Sequence, residues 1–189
     1  EAIQYAVDKE AYRTAKGGEI VGDFATTLIT PGIAGREEYS LYGDNPQGDP
    51  AKAKQLLEDA GVESLELTFP VTETQVPAAE ALQQSLKRSD ITVDIVPLDS
   101  AAYEAEVNAG DGTGYDVVLS GWQPDIPSPN ANIAPLFDSS QIGNGNYNLA
   151  RYNNPAVDKA IIEASSILDA DEAAPNGSLL TSKSSAIRR

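Results

Sequence analysis

Apolar and polar positions divide the chain into alternating helical and extended segments. Apolar side chains in residues 1–16 recur at a spacing near 3.6, which predicts one amphipathic helix ended by two glycines. A second helix is predicted to begin at Asp49 and Pro50, a preferred N-cap residue followed by proline at the first helical position, and to end at Gly61. The glycine- and proline-rich residues 19–48 are expected to form an extended connection.

Short strand patterns alternate with helix patterns from residue 65 onward. The predicted order is strand 65–69, helix 77–89, strand 91–96, a helix capped by Ser100 and running to about residue 109, and strand 115–120. This alternation predicts parallel strands joined by right-handed crossovers, and therefore an α/β fold with a mainly parallel sheet flanked by helices. Because ligands in such open sheets bind beyond the carboxyl ends of the strands, functional residues are expected just after residue 120.

The stretch 121–155 is long and rich in proline and asparagine, with a short helix predicted through Leu136 and Phe137. Loops of this length in a compact domain are usually functional. A last helix is predicted to begin at Asn154 and Pro155, with Leu168 among its buried residues.

The character of the chain changes after about residue 174. Residues 175–189 are serine-rich and contain three cations and no acid, so we expect a disordered or non-native tail behind one domain over residues 1–174. The chain also begins without Met, at Glu1, already in helical pattern. We therefore expect a piece of a longer protein, with any export signal or lipid anchor upstream of it.

Composition narrows the possible functions. The 189 residues include 13 Lys and Arg against 29 Asp and Glu, and the resulting net charge of −16 argues against binding to nucleic acid. The sequence has no Cys and no His, which excludes disulfides, thiol nucleophiles, His-dependent triads and the common zinc sites. The apolar runs are far shorter than the roughly 20 residues that span a bilayer.

Two short motifs suggest chemistry only weakly. The cluster Gly110–Gly114 follows a helix and precedes a strand, whereas a phosphate-binding loop follows a strand and opens a helix, so we expect a connector. The acidic run Asp169–Glu172 lacks the glycine and the distal Glu of a calcium loop, so we expect a solvated helix end. No metal site, cofactor or catalytic residue is predicted.

Trp122 is the best candidate for a functional residue. It is the single Trp, it follows a predicted strand and Gly121, and Asp125 lies three residues further on. A Trp that caps the core of the sheet and a Trp that forms a wall of a ligand site remain equally open at this point. In the second case the Asp125 carboxylate could receive an ammonium or guanidinium group.

Four segments together resemble a known family. They are Glu1–Glu10, Asp49–Gly61, Tyr115–Trp122 with Asp125 and Pro127, and Tyr152–Asp158. In this order they are similar to segments of the solute-binding proteins of peptide- and nickel-type ABC importers, the dipeptide/oligopeptide-binding family 5. The resemblance covers roughly residues 1–172.

The resemblance implies the second, C-terminal-side lobe of a type II periplasmic-binding-protein-like fold that captures short peptides without catalysis. We do not expect this lobe to bind peptides alone. Its implied partners are the first lobe of the same protein and an ABC permease, with no nucleic acid, and its implied location is extracytoplasmic, with a lipid anchor upstream. Asp125 would receive the terminal ammonium of the peptide, and Gly121 and Trp122 would line the cleft. Pro124 and Pro127, on either side of Asp125, depart from the family pattern.

Two alternative functions are an α/β enzyme domain that uses acidic residues and a protein-interaction domain. The enzyme hypothesis lacks the usual base for activating a nucleophile, because the sequence has neither His nor Cys.

Overall fold

The computed structural model describes residues 1–166, which group into two compact units. The first unit contains Glu1–Phe24, Tyr42–Val107 and Thr113–Leu119, and the second contains Ala25–Leu41, Asn108–Gly112 and, of the described residues, 120–166. The predicted tail at 175–189, the acidic run Asp169–Glu172 and Leu168 lie outside the described residues. No helix within residues 1–166 is long and apolar enough to cross a membrane.

The regular elements follow the predicted alternation over most of the chain. They are α1 (Ala2–Ala6), α2 (Lys9–Lys16), α3 (Pro50–Asp59), β1 (Leu65–Thr72), α4 (Val76–Lys87), β2 (Ile91–Leu98), α5 (Ser100–Tyr103), α6 (Pro129–Phe137) and α7 (Pro155–Ser165). A π-helical turn, Glu104–Asn108, continues α5.

The first unit is built on the parallel pair β1 and β2. Leu65 lies opposite Ile91 and Thr72 opposite Leu98, and α4 is the crossover between the strands. The buried side chains of the strands meet residues of α1, α3 and α4 in one hydrophobic cluster, which includes Ala6, Ala53, Phe69, Val71, Ala79, Leu86 and Val93. The α/β architecture with a parallel sheet flanked by helices is therefore confirmed.

The prediction of one helix over residues 1–16 is wrong, because α1 and α2 are separate. The Asp8 carboxylate caps α2 by accepting a hydrogen bond from the Ala11 N–H at 2.9 Å. The Asp8 N–H donates to Ser85 Oγ of α4 at 2.6 Å, and that hydroxyl donates to the Ala6 carbonyl at 2.8 Å. A buried serine from another helix thus satisfies the backbone groups that the break leaves free.

The predicted strand at 115–120 does not form a regular strand. This segment approaches β1, where the Thr68 carbonyl accepts from the N–H groups of Asp116 at 3.0 Å and Val117 at 3.1 Å. The Thr68 N–H, however, donates to the Asp116 carboxylate at 2.8 Å. A side-chain oxygen therefore occupies the position that a backbone carbonyl takes in a strand ladder, and the ladder does not continue.

The cap of α5 is also one residue earlier than predicted. Asp99, and not Ser100, accepts hydrogen bonds from the N–H groups of Ala101 at 2.9 Å and Ala102 at 2.8 Å. Tyr103 at the end of α5 donates its hydroxyl to the Leu119 carbonyl at 3.2 Å, which holds the 113–119 segment against the helix.

The second unit has a smaller core between α6 and α7. The buried residues of this core are Ile29, Ile133, Val157 and Ile161. α7 begins at the predicted position, because the Asn154 side chain accepts from the Ala156 N–H at 2.9 Å and Pro155 occupies the first turn. The short helix predicted through Leu136 and Phe137 is also confirmed, as α6.

Candidate ligand-binding loop

The three predicted site residues lie in one irregular segment of the second unit, just before α6. Gly121 and Asp125 are exposed, and Trp122 is partly buried. The hydrophobic cluster around Ile133 contains no Trp122 among its described members. Both interpretations of Trp122, as a cap on the core of the sheet and as a wall of a ligand site, stay predictions.

The orientation of Trp122 is determined by α6. Its indole Nε1–H donates to the Ala131 carbonyl at 2.7 Å. In a regular helix that carbonyl would accept from the residue four positions later, but this residue is Pro135, which has no N–H. Trp122 therefore donates to a carbonyl that a proline inside the helix leaves without a donor. The apolar faces of the indole take no part in this hydrogen bond.

Tyr147 is a second aromatic residue of this loop region, and sequence reasoning missed it. Its ring centroid lies 4.7 Å from that of Trp122, with the ring planes tilted by 58°. Tyr147 is 50% exposed. The available signal was a lone aromatic residue in the glycine- and asparagine-rich segment 143–148, but no spacing rule connects this segment with Trp122, 25 positions earlier.

Asn148 fixes the segment that carries Tyr147. Its side chain is 1% exposed, and its amide Nδ2 donates to the carbonyls of Asp138 at 3.0 Å and Tyr152 at 2.8 Å. Its Oδ1 accepts from the Tyr152 N–H at 2.8 Å. Both N–H donors of this buried amide and one of the two lone pairs of its oxygen are thus used inside the unit.

The Asp125 carboxylate has no hydrogen bond or ion pair among the residues that the structure describes. Pro124 and Pro127 restrict the backbone on either side of it. An exposed, unpaired carboxylate on a restricted loop can accept charge-assisted hydrogen bonds from a cationic group without first breaking an internal contact.

The glycine cluster Gly110–Gly114 lies in the connection between the π-helical turn and the 113–119 segment. Gly112 adopts a positive φ of 76°, and a Cβ atom there would overlap the Arg151 side chain. Tight packing thus explains this glycine without a phosphate. Within residues 1–166, no three His, Cys, Asp or Glu side chains are grouped so that they could hold a metal ion.

Residues 1–144 match the family model of bacterial extracellular solute-binding proteins, family 5 middle. The chain belongs to this family. The resemblance seen in the four sequence segments is confirmed.

Two relatives and one solved structure illustrate what this family 5 solute-binding protein is similar to. It is 32% identical to heme-binding protein A of Haemophilus influenzae, over 92% of this chain and 32% of the relative. It is 33% identical to di/tripeptide-binding protein 3 of Pseudomonas aeruginosa, over 91% of this chain and 32% of the relative. The structure of clavulanic acid biosynthesis oligopeptide binding protein 2 matches with a TM-score of 0.87 at 28% identity, over 97% of this chain and 35% of that one.

The family 5 chain therefore spans about a third of the length of these relatives. The structural match over nearly the whole chain confirms the periplasmic-binding-protein-like fold. The relatives are binding proteins, and the family is described as extracellular.

Proposed function

We propose that the receptor containing this chain captures short peptides outside the cytoplasmic membrane and delivers them to an ABC permease. The chain would form one lobe, over residues 1–174, and the first lobe of the same receptor would close on it. The names of two of the three similar proteins above refer to peptides, which supports peptides as the ligand class.

The observation that carries this proposal is the exposed, unpaired carboxylate of Asp125, three residues from a Trp122 whose orientation is fixed. A free peptide presents an α-ammonium group at one end, and a carboxylate binds it through charge-assisted hydrogen bonds. Gly121 and Trp122 would line the same cleft, with the indole providing an apolar wall.

The proposal assigns no catalytic step, metal or cofactor to this chain, and no nucleic acid as a partner. A receptor of this kind works by enclosing its ligand between lobes, and an acidic surface suits an ammonium-bearing ligand. A lipid anchor preceding the first lobe would keep the receptor at the membrane surface.

The test uses the full-length receptor and calorimetric titration with free di- to pentapeptides and with their N-acetylated forms. Asp125→Asn removes the negative charge, so we expect it to weaken the binding of free peptides by roughly 10-fold or more, from the 1.5–3 kcal/mol typical of hydrogen bonds to charged groups. N-acetylated peptides have no ammonium group, and their affinity should change little.

Asp44→Asn, at an exposed site of the first unit, is the matched control for the loss of one charge. If Asp125→Asn lowers the affinity for free and for acetylated peptides equally, Asp125 does not bind the ammonium group. No binding of any peptide by the unmodified receptor, together with turnover of one of them, would instead support the enzyme alternative.

A further inference from the structure

The aromatic pair Trp122–Tyr147 is not part of the hydrophobic core of its unit. The described members of the cluster around Ile133 and Val157 include neither ring. The centroids of the two rings are only 4.7 Å apart, yet Tyr147 is still 50% exposed. The polar end of the indole is already bonded to the Ala131 carbonyl, so the surface that Trp122 offers is apolar.

The backbone on both sides of Tyr147 is held in place. Gly143, Asn144 and Gly145 all have positive φ values, of 74°, 56° and 76°, and the Gly145 N–H donates to the Asn108 carbonyl at 3.2 Å. On the other side, the buried Asn148 amide makes the three hydrogen bonds described above. A ring on a fixed backbone that also contacts Trp122 loses less conformational entropy when a ligand covers it than a ring on a mobile loop would lose.

We propose that Tyr147 determines specificity by selecting ligands with an aromatic or large aliphatic side chain next to their ammonium group. This inference rests on the proposed function, because Asp125 must receive that ammonium. In a peptide, the α-ammonium group and the first side chain leave the same Cα atom. Asp125 lies three residues after Trp122 in the same segment, and the Tyr147 ring contacts the Trp122 ring at a tilt of 58°. The first side chain of a ligand bound through Asp125 would therefore lie toward this aromatic pair.

The apolar contact would distinguish ligands by the size of that side chain. Glycine at the first position buries no part of the Tyr147 ring, whereas phenylalanine or leucine covers apolar surface that is exposed in the free protein. An aromatic contact of this kind changes affinity by roughly 3- to 10-fold.

The experiment compares Phe-Ala, Leu-Ala and Gly-Ala by calorimetric titration of the full-length receptor. We expect Phe-Ala and Leu-Ala to bind more tightly than Gly-Ala. Tyr147→Ala should remove most of this preference, by roughly 3- to 10-fold for Phe-Ala, with little effect on Gly-Ala. Tyr147→Phe keeps the ring and should keep the preference.

Ile162→Ala is the matched control, because Ile162 is a 66% exposed apolar residue on α7 of the same unit. It should leave all three affinities unchanged. A preference that persists in Tyr147→Ala, or an equal loss for Phe-Ala and Gly-Ala, would overturn the role of Tyr147 while leaving peptide capture intact. Failure of every dipeptide to bind would instead count against the proposed function, and with it against this inference.

Discussion

Individual hydrogen bonds explain several features that no local pattern predicts. Asp8 begins a new helix because Ser85, 77 positions later, is available to accept its N–H. Trp122 takes its orientation from a carbonyl that Pro135 leaves without a donor. In each case a residue distant in sequence decides what a residue does.

The bond between Trp122 and Ala131 leads to a prediction about Pro135. Pro135→Ala introduces a backbone N–H that competes for the Ala131 carbonyl, so the indole N–H should lose its partner. We expect the fluorescence emission of Trp122, the single Trp of the chain, to shift to longer wavelength as its N–H becomes solvated.

Pro155→Ala is the control for this measurement. Pro155 lies in the first turn of α7, where a missing N–H frees no carbonyl. It should leave the emission of Trp122 unchanged. If Pro135→Ala also leaves the emission unchanged, the indole is held by something other than the carbonyl that Pro135 frees.

Among the elements, those with strong local signals match their predictions best. α3 and α7 begin at Asp49–Pro50 and Asn154–Pro155, where the cap and the proline are adjacent in sequence. The pairing of β1 with β2 follows from the strand–helix–strand order of the first unit.

The elements that differ from prediction depend on contacts between distant residues. The 115–120 segment has the apolar pattern of a strand, but the Asp116 side chain takes the Thr68 N–H. In the same way, the sequence pattern places Gly121, Trp122 and Asp125 in one loop, because they are close along the chain. Tyr147 joins this candidate site only through its contact with Trp122 in the folded chain. The alternation of apolar and polar residues does not show which polar side chain will take a hydrogen bond that the backbone of a strand would otherwise make.

The contact between α5 and the 113–119 segment predicts a dependence of stability on alkaline pH. Burial raises the pKa of Tyr103 above the ordinary value of 10.0, against a smaller opposing effect of a hydrogen bond with Gln75. The folded protein therefore keeps the phenolic proton at pH values where the unfolded chain loses it. This contribution to stability is complete below about pH 10 and is lost as the pH rises through the raised pKa.

Tyr103→Phe should make the alkaline loss of stability less steep, as measured by urea denaturation between pH 7 and pH 11. At pH 7 the variant should lose about 0.5–1.5 kcal/mol, because the hydroxyl no longer donates to the Leu119 carbonyl. Burial also raises the pKa of Tyr152, so Tyr152→Phe should likewise make the loss of stability at alkaline pH less steep, whether or not Tyr103 is replaced. If the free energy of unfolding falls as steeply with alkaline pH in Tyr103→Phe as in the wild type, the proton of Tyr103 does not contribute to this pH dependence.

The charge of the whole molecule affects its stability. A net charge of −16 on 189 residues creates repulsion between carboxylates that unfolding relieves. Most of the ion pairs in the described structure include an exposed partner, as in Lys54–Asp90 and Lys159–Glu163, and contribute little. Repulsion should therefore dominate the response to salt.

We expect the melting temperature to rise when NaCl increases from about 10 mM to about 150 mM, since the screening length falls from about 30 Å to about 8 Å. Circular dichroism measures this melting, and sucrose at matched osmolality is the control for effects unrelated to charge. A melting temperature that falls with added salt would show that attractive pairs outweigh the repulsion.

The two-stranded sheet of the first unit has a side chain bonded to the backbone of each strand. Asp116 accepts from the Thr68 N–H of β1, and the Gln83 amide donates to the Val93 carbonyl of β2 at 2.8 Å. Backbone groups that are already bonded offer no template on which the strand of another molecule can add. The Thr68 N–H and the Val93 carbonyl are therefore not free to pair with the strand of another molecule, which limits edge-to-edge association at these two positions.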